Sequence, residues 1–144
     1  MTPFNQPIRK LAKANTDFRR EVATGPHAQV VLMCLQPGED IGEEVHAGTD
    51  QLFQVVKGEG EAVLGGTPQA LRKGSLLLVP AGVRHNLRNT GEKRLRLVTI
   101  YAPPQHAAGT VHVTRADALR AGKGEAHRPR AAAAGTTVRA ARSR

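Results

Sequence analysis

From Ala28 to Ala102 the chain is a succession of short runs of β-forming residues, each closed by glycine, proline or asparagine. The runs read AQVVLMCLQ, GEEVH, QLFQVVKG, GEAVLGG, TPQALRKG, SLLLVPAG, VRHNLRN and RLRLVTIYA. Runs this short, closed by turn residues, are strands and not helices. Lys57-Gly58-Glu59-Gly60, Gly65-Gly66-Thr67-Pro68 and Asn89-Thr90-Gly91-Glu92 read as hairpin turns. Eight or so short strands joined in this way predict an antiparallel sandwich or barrel. The whole chain has 144 residues, which suits one domain and not two.

The flanks differ from this centre. Residues 8–21, IRKLAKANTDFRRE, space Ile8, Leu11 and Phe18 among charges and predict a short helix or an arm. A second helix is predicted at 114–121, with Thr114 as its cap and Asp117 at the third helical position. Seven basic residues and one acid fall between Arg120 and Arg144, within a formal net charge of +9 for the chain. The stretch from Gly122 on has almost no large apolar side chains, so it is predicted to be a disordered basic tail. A charge run alone carries little specificity, and it is read here as solvated chain and not as a nucleic-acid arm. The organisation is thus an arm or helix at 1–27, a barrel at 28–113, and a short helix with tail at 114–144.

Composition removes several classes. Phe4, Phe18, Phe53 and Tyr101 are the only aromatics, too few for a platform that stacks single-stranded nucleic acid. The single cysteine, Cys34, excludes an internal disulfide framework and cysteine-rich zinc modules, and in its apolar strand it reads as a buried thiol. No apolar run approaches the roughly 20 residues that span a bilayer, and the N-terminus lacks a signal-type apolar segment. A cytoplasmic protein without membrane contact is the expectation. There is no Gly-x-Ser-x-Gly elbow, no phosphate-binding Gly-x-x-x-x-Gly-Lys loop and no His-Glu-x-x-His helix.

Two stretches carry the chemistry. The first runs from Gly38 through Glu44, His46 and Gln51 to Gly58. The second runs from Gly74 through Pro80, Gly82 and His85 to Asn89. Their spacing resembles the two motifs of the cupin superfamily, and TIYAPPQHAAGTVH adds a likeness to small single-domain bacterial cupins. The second motif agrees at every defined position. In the first, Glu44 stands where the family has a histidine, and Gln51 where it has a glutamate. The resemblance implies an all-β fold, a small cupin or jelly-roll barrel, with one divalent metal ion held by Glu44, His46, Gln51 and His85. It also implies a small-molecule ligand and a homodimer.

Strand geometry supports the same grouping. Residues i and i+2 of a strand share a face, so Glu44 and His46 project together. A turn at Ala47 to Asp50 reverses the chain, and Gln51, Phe53 and Val55 share a face of the return strand. His85 completes the set if its strand crosses the barrel. Two imidazoles and a carboxylate suit Fe, Mn, Ni, Co or Zn. Gln51 either lends its amide oxygen to the ion or hydrogen-bonds a water bound to it. The carboxylate has moved from the third position of the family pattern to the first, so the ligand charge is unchanged.

Tyr101, at a strand end, and His112, beyond the Pro103-Pro104 break, are the candidate catalytic residues, with a free oxygen of Glu44 as a third base. Gln29, Met33, Phe53 and Tyr101 fall on the pocket side by parity. His106 is a candidate for the barrel mouth. Arg84 and Arg88 read as solvated, and Asn89 as a turn residue. A metal-dependent enzyme on a small oxygenated substrate, sugar-like or a carboxylic acid, is expected, with isomerase or dioxygenase chemistry; a non-catalytic small-molecule or metal sensor is the alternative.

Overall fold

The computed structural model describes residues 2–125. Helix α1 (Ile8–Ala14) precedes β1 (Arg19–Thr24), β2 (Gln29–Leu35), β3 (Asp50–Lys57), β4 (Gly60–Leu64), β5 (Thr67–Leu71), β6 (Leu76–Val79), β7 (His85–Asn89), β8 (Leu95–Ala102) and β9 (Val111–His112), and α2 (Arg115–Glu125) follows. All strand pairs are antiparallel. One sheet has six strands in the order β6-β3-β8-β2-β1-β9, and the other has three in the order β5-β4-β7. This is the jelly-roll barrel that the run of short strands predicts.

Alternation decides which side chains enter the barrel. Val31, Met33 and Leu35 of β2, Phe53 and Val55 of β3, and Leu95, Leu97 and Tyr101 of β8 pack inward against Ala62 of β4 and Leu87 of β7. Leu32, Val56 and Val98 point to the outer face of the large sheet. There α1 covers them with Ala12, Ile8 and Leu11, so β2 and β8 are buried on both sides. This is why AQVVLMCLQ and RLRLVTIYA read as nearly continuous apolar runs.

Three elements depart from the sequence expectation. The segment 8–21 is not one helix: α1 stops at Ala14, and 19–24 form β1, within the stretch expected to be an arm. The sequence RREVAT hid a strand because its inward-facing positions are Arg19 and Glu21, not apolar residues. GEEVH is not a strand but an extended loop with a single bridge, Glu44 to His85. Finally, α2 runs four residues beyond Ala121, so the start of the expected tail is helical; residues 126–144 of that tail lie outside the described residues. The cap of α2 is as expected: the Asp117 amide donates to Thr114 Oγ1 and the Thr114 amide to Asp117 Oδ2.

Gly58 is more than a turn residue. Its φ is +93°, and a Cβ there would lie 2.6 Å from the carbonyl oxygen of Arg94. Two barrel turns therefore pass each other in contact, which only glycine permits.

Candidate metal centre

The centre forms where the loop before β3 crosses β7. Backbone hydrogen bonds in both directions between Glu44 and His85, each 2.9 Å, fix the loop against the small sheet. The Gly82 amide donates to the His46 carbonyl at 2.8 Å, so the Pro80-Ala81-Gly82 turn holds the loop a second time. Glu44, His46 and His85 each present one ligand atom, and these atoms all lie within 4.8 Å of one another. Gln51 enters from β3 in the opposite sheet, with its side-chain oxygen 3.1 Å from His85 Nε2. All four residues expected from the sequence are thus brought together, from two sheets and one loop.

Hydrogen bonding shows what the site is suited to hold. His85 Nδ1 donates to the Val83 carbonyl at 3.0 Å, which leaves Nε2 as a bare lone pair in the neutral ring. That lone pair faces the Gln51 oxygen, another acceptor. A cation shared by the two removes this conflict. Both ring nitrogens of the buried His46 lack a hydrogen-bond partner among the described residues, as does the Gln51 amide nitrogen. Glu44 Oε1 is 3.4 Å from His46 Nε2 and 3.9 Å from His85 Nε2. Metal–ligand bonds are about 2.1 Å, so ligands at a right angle stand about 3 Å apart and opposed ligands about 4.2 Å. The separations of 3.1, 3.4 and 3.9 Å fall within that interval. The donor set therefore fits a divalent transition-metal ion, with a net ligand charge of one carboxylate.

Behind the ligands lies a second polar layer. Tyr101 is buried on β8, opposite Gln51 in register, with its ring 6.0 Å from that of His46. Burial raises its pKa far above the usual phenol value, against the lowering effect of Arg19, so the hydroxyl stays protonated. In that form Tyr101 offers a hydrogen-bond donor. Its oxygen lies 3.3 Å from His106 Nε2. His106 has its pKa lowered to about 3 by burial, then by Arg19, His112 and His46, so it is neutral at physiological pH. His112 lies on β9, and its Nδ1 takes an Arg19 guanidinium nitrogen at 3.2 Å.

Among the pocket-side candidates, Gln29 is a strut. Its oxygen accepts from the Gln105 and His106 amides, and its nitrogen donates to the His106 carbonyl, which pins the loop after β8 over Tyr101. Met33 and Phe53 are core. Asn89 ties the β7–β8 turn to the Leu35 and Lys93 carbonyls. Arg84 is exposed and pairs loosely with Glu43 at 3.7 Å. The sequence reading missed Arg19, because the strand that carries it has charged residues at its inward positions and so no apolar alternation to reveal that face.

A jelly roll of two β sheets with two imidazoles and a carboxylate converging between them has the architecture of the cupin class and a candidate metal site. The chain belongs to the cupin superfamily: the Cupin domain family matches residues 31–101. It is 44% identical over 125 residues to protein YrkC of Bacillus subtilis, spanning 83% of this chain and 67% of that protein. It is 38% identical over 112 residues to protein L612 of Acanthamoeba polyphaga mimivirus, spanning 75% and 70% respectively. The crystal structure of BH2720 from Bacillus halodurans superposes with a TM-score of 0.82 at 44% identity, over 83% of this chain and 95% of that one.

Proposed function

We propose that the chain is a metal-dependent enzyme that holds one divalent ion on Glu44, His46, His85 and Gln51 and acts on a small oxygenated molecule bound to that ion. The observation that supports this best is the pair of unpartnered His46 nitrogens beside the Glu44 carboxylate and the bare His85 Nε2. A bound divalent ion supplies Lewis acidity, polarising a substrate oxygen. The residues around it supply the rest. Tyr101, protonated and backed by neutral His106, is a hydrogen-bond donor towards charge developing near His46. The Glu44 side chain is partly exposed, and its oxygen not facing the histidines is placed to take a proton. An acid and a base flanking one ion suit proton-transfer chemistry of the isomerase type. His112, occupied by Arg19, acts as a base only if that contact opens.

Dioxygenase chemistry is the second reading, favoured by the two-imidazole, one-carboxylate set, which suits Fe(II). Metal analysis of protein purified without added metal, beside His46→Ala and His85→Ala, tests the site: about one equivalent in the parent and almost none in the variants is the expected result. Equal metal content in all three ends the proposal. Anaerobic turnover with Mn or Zn selects isomerase chemistry, and oxygen uptake with Fe(II) selects the other. Metal retention with no turnover on any oxygenated substrate favours the sensor role.

Two copies are also proposed to associate. Leu76 and Leu78 are 67% and 54% exposed on β6, an unpaired edge of the large sheet. Gel filtration at monomer mass would count against association. No helix among the described residues is long and apolar enough to cross a membrane, and a cytoplasmic location stays part of the proposal.

A further inference from the structure

We infer that Arg19 is an anion-recognition residue of the barrel interior, so that the ligand of the metal centre carries a carboxylate. The inference rests on the metal-site reading above and narrows it to one class of substrate.

Register places Arg19 inside. It stands opposite Met33, which pairs with Leu97, which pairs with Val55, and all three are interior core residues. Directly opposed residues share a sheet face. Arg19 is only 6% exposed, and its Nε has no hydrogen-bond partner among the described residues. A buried guanidinium keeps its charge, and burying a charge without a counter-charge is costly. No carboxylate lies within ion-pair distance of Arg19 among the described residues. Glu21, two residues along on the same strand, uses its oxygens on Thr24 Oγ1 and the Gly109 amide. Its contacts with the Phe18 ring at 5.5 Å and with His112 Nδ1 bring no negative charge.

The guanidinium also lies on the metal side of the barrel. The Arg19 charge acts on both the Tyr101 phenol and the His106 ring beside it, which faces the His46 side of the site. Further unpartnered buried groups share this interior face: Thr99 Oγ1, on the row between Arg19 and Tyr101, and the Gln51 amide nitrogen. A fixed cation and two neutral polar groups without partners, next to a metal-type donor set, match a carboxylate. One oxygen function of the ligand meets the ion, and its carboxylate meets Arg19, where the guanidinium fork gives paired hydrogen bonds.

The experiment compares malonate with its neutral isostere malonamide, using thermal stabilisation and calorimetry. It is run on protein loaded with one equivalent of Co(II) and on metal-free protein in chelator. The expected result is binding of malonate at least about tenfold tighter than malonamide, with Arg19→Met reducing malonate to the malonamide level, Arg19→Lys restoring part of it, and Co(II) content unchanged in both variants. Equal binding of malonate and malonamide by the parent protein overturns the inference, whether or not the variants fold, and so does an Arg19→Met protein that binds malonate as the parent does. If the parent takes up no Co(II) but malonate still stabilises it through Arg19, the metal reading fails and the anion site stands. If Co(II) binds and malonate has no advantage, the reverse holds.

Discussion

His85 Nε2 and the Gln51 side-chain oxygen face each other at 3.1 Å across the two sheets of the barrel, while His85 Nδ1 is committed to the Val83 carbonyl. Neither facing atom carries a proton when the ring is neutral, so each needs a positive partner between them. On the proposed metal reading, Gln51 is the residue through which ion affinity is tuned. Gln51→Glu adds a second carboxylate at one remove from Glu44, and chelator competition should show roughly tenfold tighter metal binding. Gln51→Ala should weaken it by about the same factor. Unchanged affinity in both variants would place Gln51 outside the ion's reach.

Acid sensitivity should trace to His106. Its pKa is about 3 in the folded protein, below its ordinary value of 6.5, so the unfolded chain binds a proton more readily across that window. Folding stability from this group is full above about pH 6.5 and is lost as pH falls towards 3, with a slope of at most about 1.4 kcal/mol per pH unit. His106→Gln keeps an acceptor near Tyr101 and removes the titration. Denaturant midpoints measured from pH 7 to pH 4 should fall less steeply for the variant than for the parent.

The C-terminal helix is latched through Asp40. Arg115 Nη2 donates to Asp40 Oδ1 at 2.6 Å and its Nε to the Asp40 carbonyl at 2.8 Å, while Asn86 donates to Oδ2. Burial alone would raise the Asp40 pKa, but the Asn86 and Arg115 hydrogen bonds and the Arg115 charge outweigh it, and the pKa is lowered. This contribution is present above pH 3.8 and lost as pH falls through the folded value. Arg115→Ala should cost about 1 kcal/mol, a value limited by partial solvent exposure. Thr114→Ala, which removes the cap, should cost about 1 kcal/mol as well. Hydrogen exchange at Ala118 and Leu119 should quicken in both variants, while metal content stays the same.

Two glycines should behave differently. Gly58→Ala drives a methyl against the Arg94 carbonyl at 2.6 Å in a left-handed backbone, and a loss of about 2–3 kcal/mol is expected. Gly82→Ala meets nothing within 4 Å, so only the conformational cost of φ +86° remains, about 1 kcal/mol. Chemical denaturation of the two variants separates close approach from turn geometry.

Most strands, their turns and the four ligand candidates were legible in the chain alone, because alternation and turn chemistry are local: in extended backbone Glu44-x-His46 shares a face, and Pro80-x-Gly82 sets where His85 enters. The sequence also determined the Thr114–Asp117 cap, a contact three residues long. It did not show β1, because an inward Arg19 and Glu21 break the apolar alternation by which a buried strand is read. It could not assign Tyr101 its protonated state or His112 its Arg19 contact, since both depend on burial and on partners more than eighty residues away in the chain. That Gln51 and His85, 34 residues apart, meet with two acceptors face to face, and that a guanidinium is enclosed with no acid in ion-pair reach among the described residues, follows from folding alone. The reason is that a ligand set and an unbalanced charge are properties of an enclosed volume, and the enclosure exists only when the two sheets close.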